Sequence, residues 1–510
     1  MKKMIGILFA VLTVFLLSSC KEDLGVTAEF SNIELGLTSI TFTVEIDDPD
    51  AKITGAVTVK LHKADGTVVH TKDITSDTEL VDYNVSSLIN SETYTIKIYA
   101  TIGRESVVIG EHQFKPLSAA TIHITTPEEF MDMKNNRAGN YVLDNDLDFT
   151  GKTFATPFTA AFSGTFDGQG FTISNITFTS VITYTGVFGY VSSGTIKNVN
   201  FDQITIGTSA APLSMTTSSR TGIIAGYVSS TSAKIENVTV SNSSINYSSS
   251  STVQAFVGGL VGELKGEMTD VELDNVDVTV KATSYGRIRV GGAVGLLTEE
   301  AKLKRVKSDA DVNVTLDAAL RNRDVQLNIG GLIGYHNARN INKSVEDLYT
   351  TGSVNVNVTF GTTSDATSGN YSVYAGGIAG IAYSNVINAF FGGSIDLTHV
   401  KNNNEASVNK NFYVGGLMGF YGSNKAIVSA VRLGDGNEIN VNVSDDVTLR
   451  ASQVFGQNIS VSTQQVGIFG TAHLMINMID ESATDTATVY TTLENYFTSD
   501  WMNAAFAALP

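Results

Sequence analysis

The chain has 510 residues and one cysteine, Cys20. An internal disulfide is excluded, so the fold must rest on packing and backbone hydrogen bonds. Only six prolines occur, and none lies between Pro212 and Pro510. Proline has no backbone N–H, so a long stretch without it suits strands paired on both edges. Charge is scarce: 16% of residues are charged, and the net charge is −18. An acidic chain repels nucleic acid at long range, which counts against that class of partner. Catalytic patterns are missing too. No two of His62, His70, His112, His123, His336, His399 and His473 have the i, i+4 spacing of a zinc helix. There is no glycine-rich phosphate loop with its lysine, and no serine elbow between a strand and a helix. No catalytic residue, metal or cofactor is assigned.

What is present begins at the N-terminus. Met1-Lys2-Lys3-Met4 precedes an apolar run from Ile5 to Leu17. That run is shorter than the roughly 20 residues of a membrane span and has the form of a signal peptide. It ends in Leu17-Ser18-Ser19-Cys20. These residues resemble the lipobox of bacterial lipoproteins. The resemblance implies a signal peptide over residues 1–19, lipid on Cys20, and a tether over 20–25. Lys21-Glu22-Asp23 is similar to the surface-export signal of some Gram-negative lipoproteins. It implies a lipid-anchored protein of the outer membrane, facing the outside of the cell.

Residues 26–117 carry period-two alternation, as in Ser39–Ile46, Val57–Leu61 and Tyr94–Tyr99, broken by turns such as Asp47-Asp48-Pro49-Asp50. About seven such strands in ~90 residues predict a β-sandwich. The stretch Leu88 to Ala100, with Tyr94, resembles the tyrosine corner of fibronectin type III domains. The early tryptophan of that family is missing, since Trp501 is the only one. The expected role is a spacer.

A repeat then sets the architecture. Glycine, two apolar residues and glycine recur at Gly186–Gly189, Gly222–Gly226, Gly258–Gly262, Gly291–Gly295, Gly330–Gly334, Gly376–Gly380 and Gly415–Gly419, with a degenerate copy at Gly467–Gly470. Alternating strands follow, as in Ile196–Phe201, Ile235–Val240 and Val271–Val278. No copy can bury its apolar face alone, so stacked copies must share a core. Asn198, Asn237 and Asn275 are placed to stack as a hydrogen-bonded ladder. Coils of ~22–30 residues, about 11–15 of them, are expected to give a stack about 55–75 Å long. Together with the Phe162–Asn175 stretch, these copies resemble the GLUG repeats of bacterial surface proteins. The resemblance implies a right-handed parallel β-helix over residues 118–480, closed by a cap over 481–510. Thr126-Pro127-Glu128-Glu129 is a capping box for a short helix that presents Phe130, Met131 and Met133. Leu493, Tyr496, Phe497 and Trp501 have helical spacing for the far cap.

Three side-chain sets are candidates for chemistry. Aromatics follow the closing glycine at Tyr190, Tyr227, Tyr335 and Phe420; in stacked copies they form a column for sugar rings, or for each other. Lys281, Arg287, Arg289, Lys302, Lys304, Arg305 and Lys307 gather in two neighbouring repeats and suit an anionic glycan. Asp144, Asp146 and Asp148 alternate; on one strand they would share a face, as paired carboxylates of a polysaccharide lyase or glycoside hydrolase do. Polar segments Ser241–Ser251, Gly361–Asn370 and Lys401–Asn411 are expected as loops. Asp485-Thr486-Ala487 is similar to a bacterial O-glycosylation site. The expectation is an adhesin-like surface lipoprotein that binds glycan or a host or bacterial surface ligand. The alternatives are a β-helix polysaccharide-degrading enzyme and a structural component of a surface assembly.

Overall fold

Alternating side chains in the N-terminal part pair antiparallel. The computed structural model describes residues 25–35, 39–75, 78–84, 88, 92–114, 121–154, 158, 160–180, 182–215, 217–249, 254–283, 286–319, 325–337, 344–361, 370–401, 409–422, 427–434, 436–458, 462–469, 472–477, 479–480, 489–490 and 502. Two compact units result, Met1–Ala120 and Thr121–Pro510. In the first, Thr27–Leu35, Ser39–Asp47 and Thr78–Asn84 form one sheet in that order. Val68–Ile74, Ile53–Lys63, Tyr94–Ile102 and Glu105–Phe114 form the other. Phe42, Val59, Leu61, Leu88, Tyr94 and Ile96 share one apolar cluster. The Asp48 carboxylate accepts from the Lys52 and Ile53 amides at 2.8 and 2.9 Å, so this acidic loop is spent on its own turn.

Among its described residues the second unit is β-rich, with helix only at Pro127–Asp132, Met133–Asn135 and Met502, and its large sheets are parallel. Each mid-chain coil visits three sheets in turn. Ala255–Gly258 lies in one eight-stranded sheet, Val261–Leu264 in the second, and Glu267–Ala282 in the long sheet; the chain then returns to the first at Arg287–Gly291. Three sheets per coil, the long one crossed by a single kinked strand or by two strands, make it longer than expected. Past the entry coils, side chains bonded between adjacent coils are 33 (Asn275 and Asn242) to 45 positions apart (Ser444 and His399), against the ~22–30 expected. Twelve parallel strands, from Thr121–Ile124 to Val489–Tyr490, form one continuous ladder on the long sheet. Eleven spacings of about 4.8 Å make it about 53 Å long.

The asparagine ladder exists in a different register. Asn198 and Asn237 both have left-handed backbone (φ 51° and 53°), and Asn237 Nδ2 donates to Asn198 Oδ1 at 2.9 Å. Pairing of Glu236 with Thr269 and of Val238 with Val271 puts Asp270, not Asn275, next in that column. Asn275 (φ 56°) bonds Asn242 (φ 46°) at 2.9 Å in a second column. Each long strand kinks twice, and asparagine tolerates the left-handed region at either kink. The Asn-Val pairs at the first kink (Asn198-Val199, Asn237-Val238) and at the second (Asn275-Val276) therefore look alike one kink out of step. Two other expectations change. Ser241–Ser249 lies within the strand Lys234–Ser249 rather than in a loop. The eighth corner copy is the turn before Phe455–Asn458, where Gly456 alone remains of the glycines; Gly467 to Phe469 lies on the long sheet against Arg432 and Leu433.

The capping box forms. Thr126 accepts from the Glu129 amide at 3.2 Å, and the helix Pro127–Asp132 buries Phe130. The expected far cap lies mostly outside the described residues, as do Cys20, the expected signal peptide over 1–19, Leu493, Tyr496, Phe497, Trp501 and residues 485–487.

One inward column of the core carries His336, flanked in register by Leu297 and Ala382. It is 1% exposed, and burial pushes its pKa from 6.5 down to about 4. The folded protein holds the neutral ring. Its contribution is present above pH 6.5, falls as pH drops through the window from 6.5 to 4, and is lost below it. The loss is expected to be about 3 kcal/mol. Urea unfolding across that window measures it, and His336→Leu should flatten the slope; an unchanged slope refutes the assignment.

Candidate functional site

The two eight-stranded sheets join through the glycine corner, and their outward side chains face each other there. Register on the second sheet aligns Tyr190, Tyr227, Glu263, Leu296, Tyr335, Ile381, Phe420 and Gln457 in one column. Thus the four rings read from the sequence do share a column, interrupted by three non-aromatic residues. Facing it on the first sheet runs a column that sequence reading missed: Tyr184, Arg220, Phe256, Arg289, Asn328, Tyr374, Tyr413 and Arg450. A signal for it exists, since nearly every member stands two residues before the first glycine of a copy, as in Arg289-Val290-Gly291 and Tyr374-Ala375-Gly376.

The corner is re-entrant because glycine lets the sheets meet backbone to backbone. A Cβ on Gly295 would lie 2.6 Å from the Val257 amide nitrogen and 2.7 Å from the Gly262 carbonyl oxygen. Side chains flanking the closing glycines can then touch across the groove. Tyr184 lies 5.2 Å from Tyr190, and Tyr374 lies 5.9 Å from Phe420. Arg220 pairs with Glu263 and stands 4.6 Å over the Tyr227 ring. Phe256, Leu296 and Ile381 are buried yet stand apart from the main core cluster, so the middle of the groove has its own apolar filling. Half-buried rings flank it: Tyr184, Tyr190 and Tyr227 on one side, Tyr374, Tyr413 and Phe420 on the other. Tyr190 and Tyr227 stack at 5.5 Å, and Tyr374 and Tyr413 at 4.7 Å.

The basic set splits. Lys302, Lys304, Arg305 and Lys307 each pair with an acid of an adjacent coil, Glu267, Glu346, Asp270 and Glu272 respectively. They form a neutralised ladder rather than a cationic patch. Lys281 and Arg287 are exposed, and Arg289 turns into the groove.

The acidic trio does not share a strand face. Asp144 bonds His123 at 2.8 Å, Asp146 accepts the Thr172 amide at 2.8 Å, and Asp148 accepts from Thr150 and Asn175. The chain bends between Leu143 and Leu147, so each carboxylate caps a different segment.

A further polar cluster lies at His399, Lys410, Ser444 and Asp446. Ser444 Oγ is 2.8 Å from His399 Nδ1 and donates to Asp446 at 2.6 Å. Burial opposes the Asp446 charge, but hydrogen bonds from Lys410, Ser444 and Lys401 outweigh it and hold the carboxyl well below the usual range. The serine proton is committed to a weak base, so this is a tie between coils and not a nucleophile. Among the described residues no group of three or more His, Cys, Asp or Glu is placed to hold a metal.

Compared with family models, curated proteins and solved structures, the chain matches none.

Proposed function

We propose that the chain is a bacterial surface lipoprotein, anchored by lipid on Cys20, whose repeats form a right-handed parallel β-helix of the GLUG type and bind glycan along the corner groove. The observation that carries the binding part is the double column of rings and polar groups in register. Flat aromatic faces interleaved with hydrogen-bonding side chains suit pyranose rings. The strand orders of the first unit suit a fibronectin III-like sandwich that serves as a spacer. Position outside the cell rests on the leader sequence alone. The enzyme alternative loses its lead, because the three acids that prompted it each cap a separate segment.

A glycan array probed with the full chain tests the binding. Tyr227→Ala and Tyr413→Ala are expected to weaken any glycan bound while leaving thermal melting near that of the parent. Binding to no glycan, with purification in a fixed complex, would favour the structural alternative. Turnover of a polysaccharide abolished by Asp146→Asn would favour the enzyme. The anchor has its own test: Cys20→Ala should move the protein from carbonate-washed membranes to the soluble fraction. Retention in the membrane would remove the lipoprotein reading.

A further inference from the structure

Among the described residues the groove holds one buried cation with no acid paired to it. Arg289 is 8% exposed, and its Nε has no hydrogen-bond partner among the described residues. Its guanidinium lies between rings, 4.8 Å from the centre of Phe256 and 4.2 Å from that of Tyr335. Glu263, the acid in the same groove, is taken by Arg220. Asn328 follows Arg289 in register on the next coil and points to the same outer face. It is 0% exposed, and neither its Oδ1 nor its Nδ2 has a hydrogen-bond partner among the described residues. A buried amide with both ends idle is costly, and so is a buried charge without a counter-ion. Burial lowers the Arg289 pKa to about 10, so the group is still cationic at neutral pH.

We propose that Arg289 and Asn328 form a subsite for the carboxylate of an acidic sugar, a deepening of the glycan-binding reading on which it rests. Guanidinium N–H groups donate to the carboxylate in the paired geometry arginine favours. Asn328 Nδ2 donates to the same group, and Oδ1 accepts from a neighbouring sugar hydroxyl. Tyr335, half-buried above the guanidinium, moves aside and stacks on the sugar face. Rings on both sides of the subsite favour a glycan over an acidic peptide, because a chain of pyranoses meets an aromatic face before and after its carboxylate. The salt-paired lysines outside the groove need take no part.

Short oligogalacturonates are the probe, with the carboxyl-reduced oligomers and oligoglutamate as controls, all measured against the full chain by calorimetry. Oligogalacturonate is expected to bind at least about tenfold more tightly than its reduced form, the scale of a charge-assisted hydrogen bond. Arg289→Met should erase that difference. The same variant should melt at an unchanged or higher temperature, because it removes a buried unpaired charge. Asn328→Leu should weaken the acid and spare folding likewise. Equal binding of acidic and reduced oligomers, or full acid binding by Arg289→Met, overturns the subsite but leaves glycan binding standing. Equal binding of oligoglutamate overturns the sugar assignment. No binding of any glycan by the parent protein defeats the underlying reading itself.

Discussion

Replacing Gly292 by alanine is expected to cost about 3 kcal/mol or more, the upper end of what overpacking a dense interior costs. A Cβ there would lie 2.0 Å from the carbonyl oxygen of Gly331 on the next coil. That oxygen is backbone, and its surroundings are fixed: Gly292 N bonds Gly330 O at 3.2 Å and Ala293 N bonds Leu332 O at 3.0 Å. The coils would have to separate or break these bonds. Gly331 repeats the geometry, with Gly377 O 2.1 Å from its would-be Cβ. Gly436→Ala is the control. Its φ is +70° and nothing lies within 4 Å of the added carbon, so it should cost only about 1–2 kcal/mol of left-handed strain. Urea unfolding of the two variants measures the contrast. Equal losses would mean that close coil contact is not what the motif glycine serves.

Phe130→Ala should cost about 3–5 kcal/mol. The ring is fully buried and lies 5.6 to 6.1 Å from Phe149, Phe166 and Phe188, edge-on to each. It plugs the end of the ladder, where the last apolar layer would otherwise meet water. Contacts in a stacked fold are mainly between neighbours, so the damage should be local. Hydrogen exchange should accelerate at Asn140–Leu143 and Thr165–Asp167 far more than at Asn409–Gly415. Uniform acceleration along the stack would contradict this. Phe130→Leu should recover most of the loss.

Much of the fold was legible because its causes are local. Period-two alternation marks half-buried strands wherever one face meets a core. The capping box at Thr126 needs only residues three apart in sequence, and it forms where it was read. The rings after Gly189, Gly226, Gly334 and Gly419 share a column because the glycine corner itself sets the register. Pairings that depend on coil length were not legible. Lys304 meets Glu346 from 42 positions away, and Arg305 meets Asp270 from 35. Because the intervening loops vary, no constant offset links a cation to its acid, and a neutral ladder read as a basic patch. Asn275 was assigned to the wrong column for a related reason, since two equivalent kinks per strand make two registers look alike. The aspartate trio misled because alternation was extended through a bend.

By itself the sequence determined an all-β chain with a recurring glycine corner, a helical plug at one end, and an apolar N-terminal run that stops at a lone cysteine. These follow from periodicity and short-range hydrogen bonding, which act within a few residues. Only the tertiary structure decided which side chains meet. It faced two outward columns across a glycine corner, paired most of the neighbouring cations with acids, and left Arg289 Nε and the Asn328 amide buried with no hydrogen-bond partner among the described residues. Those outcomes depend on how far each coil runs before it returns and on how closely two backbones approach, and neither distance is written in any single repeat.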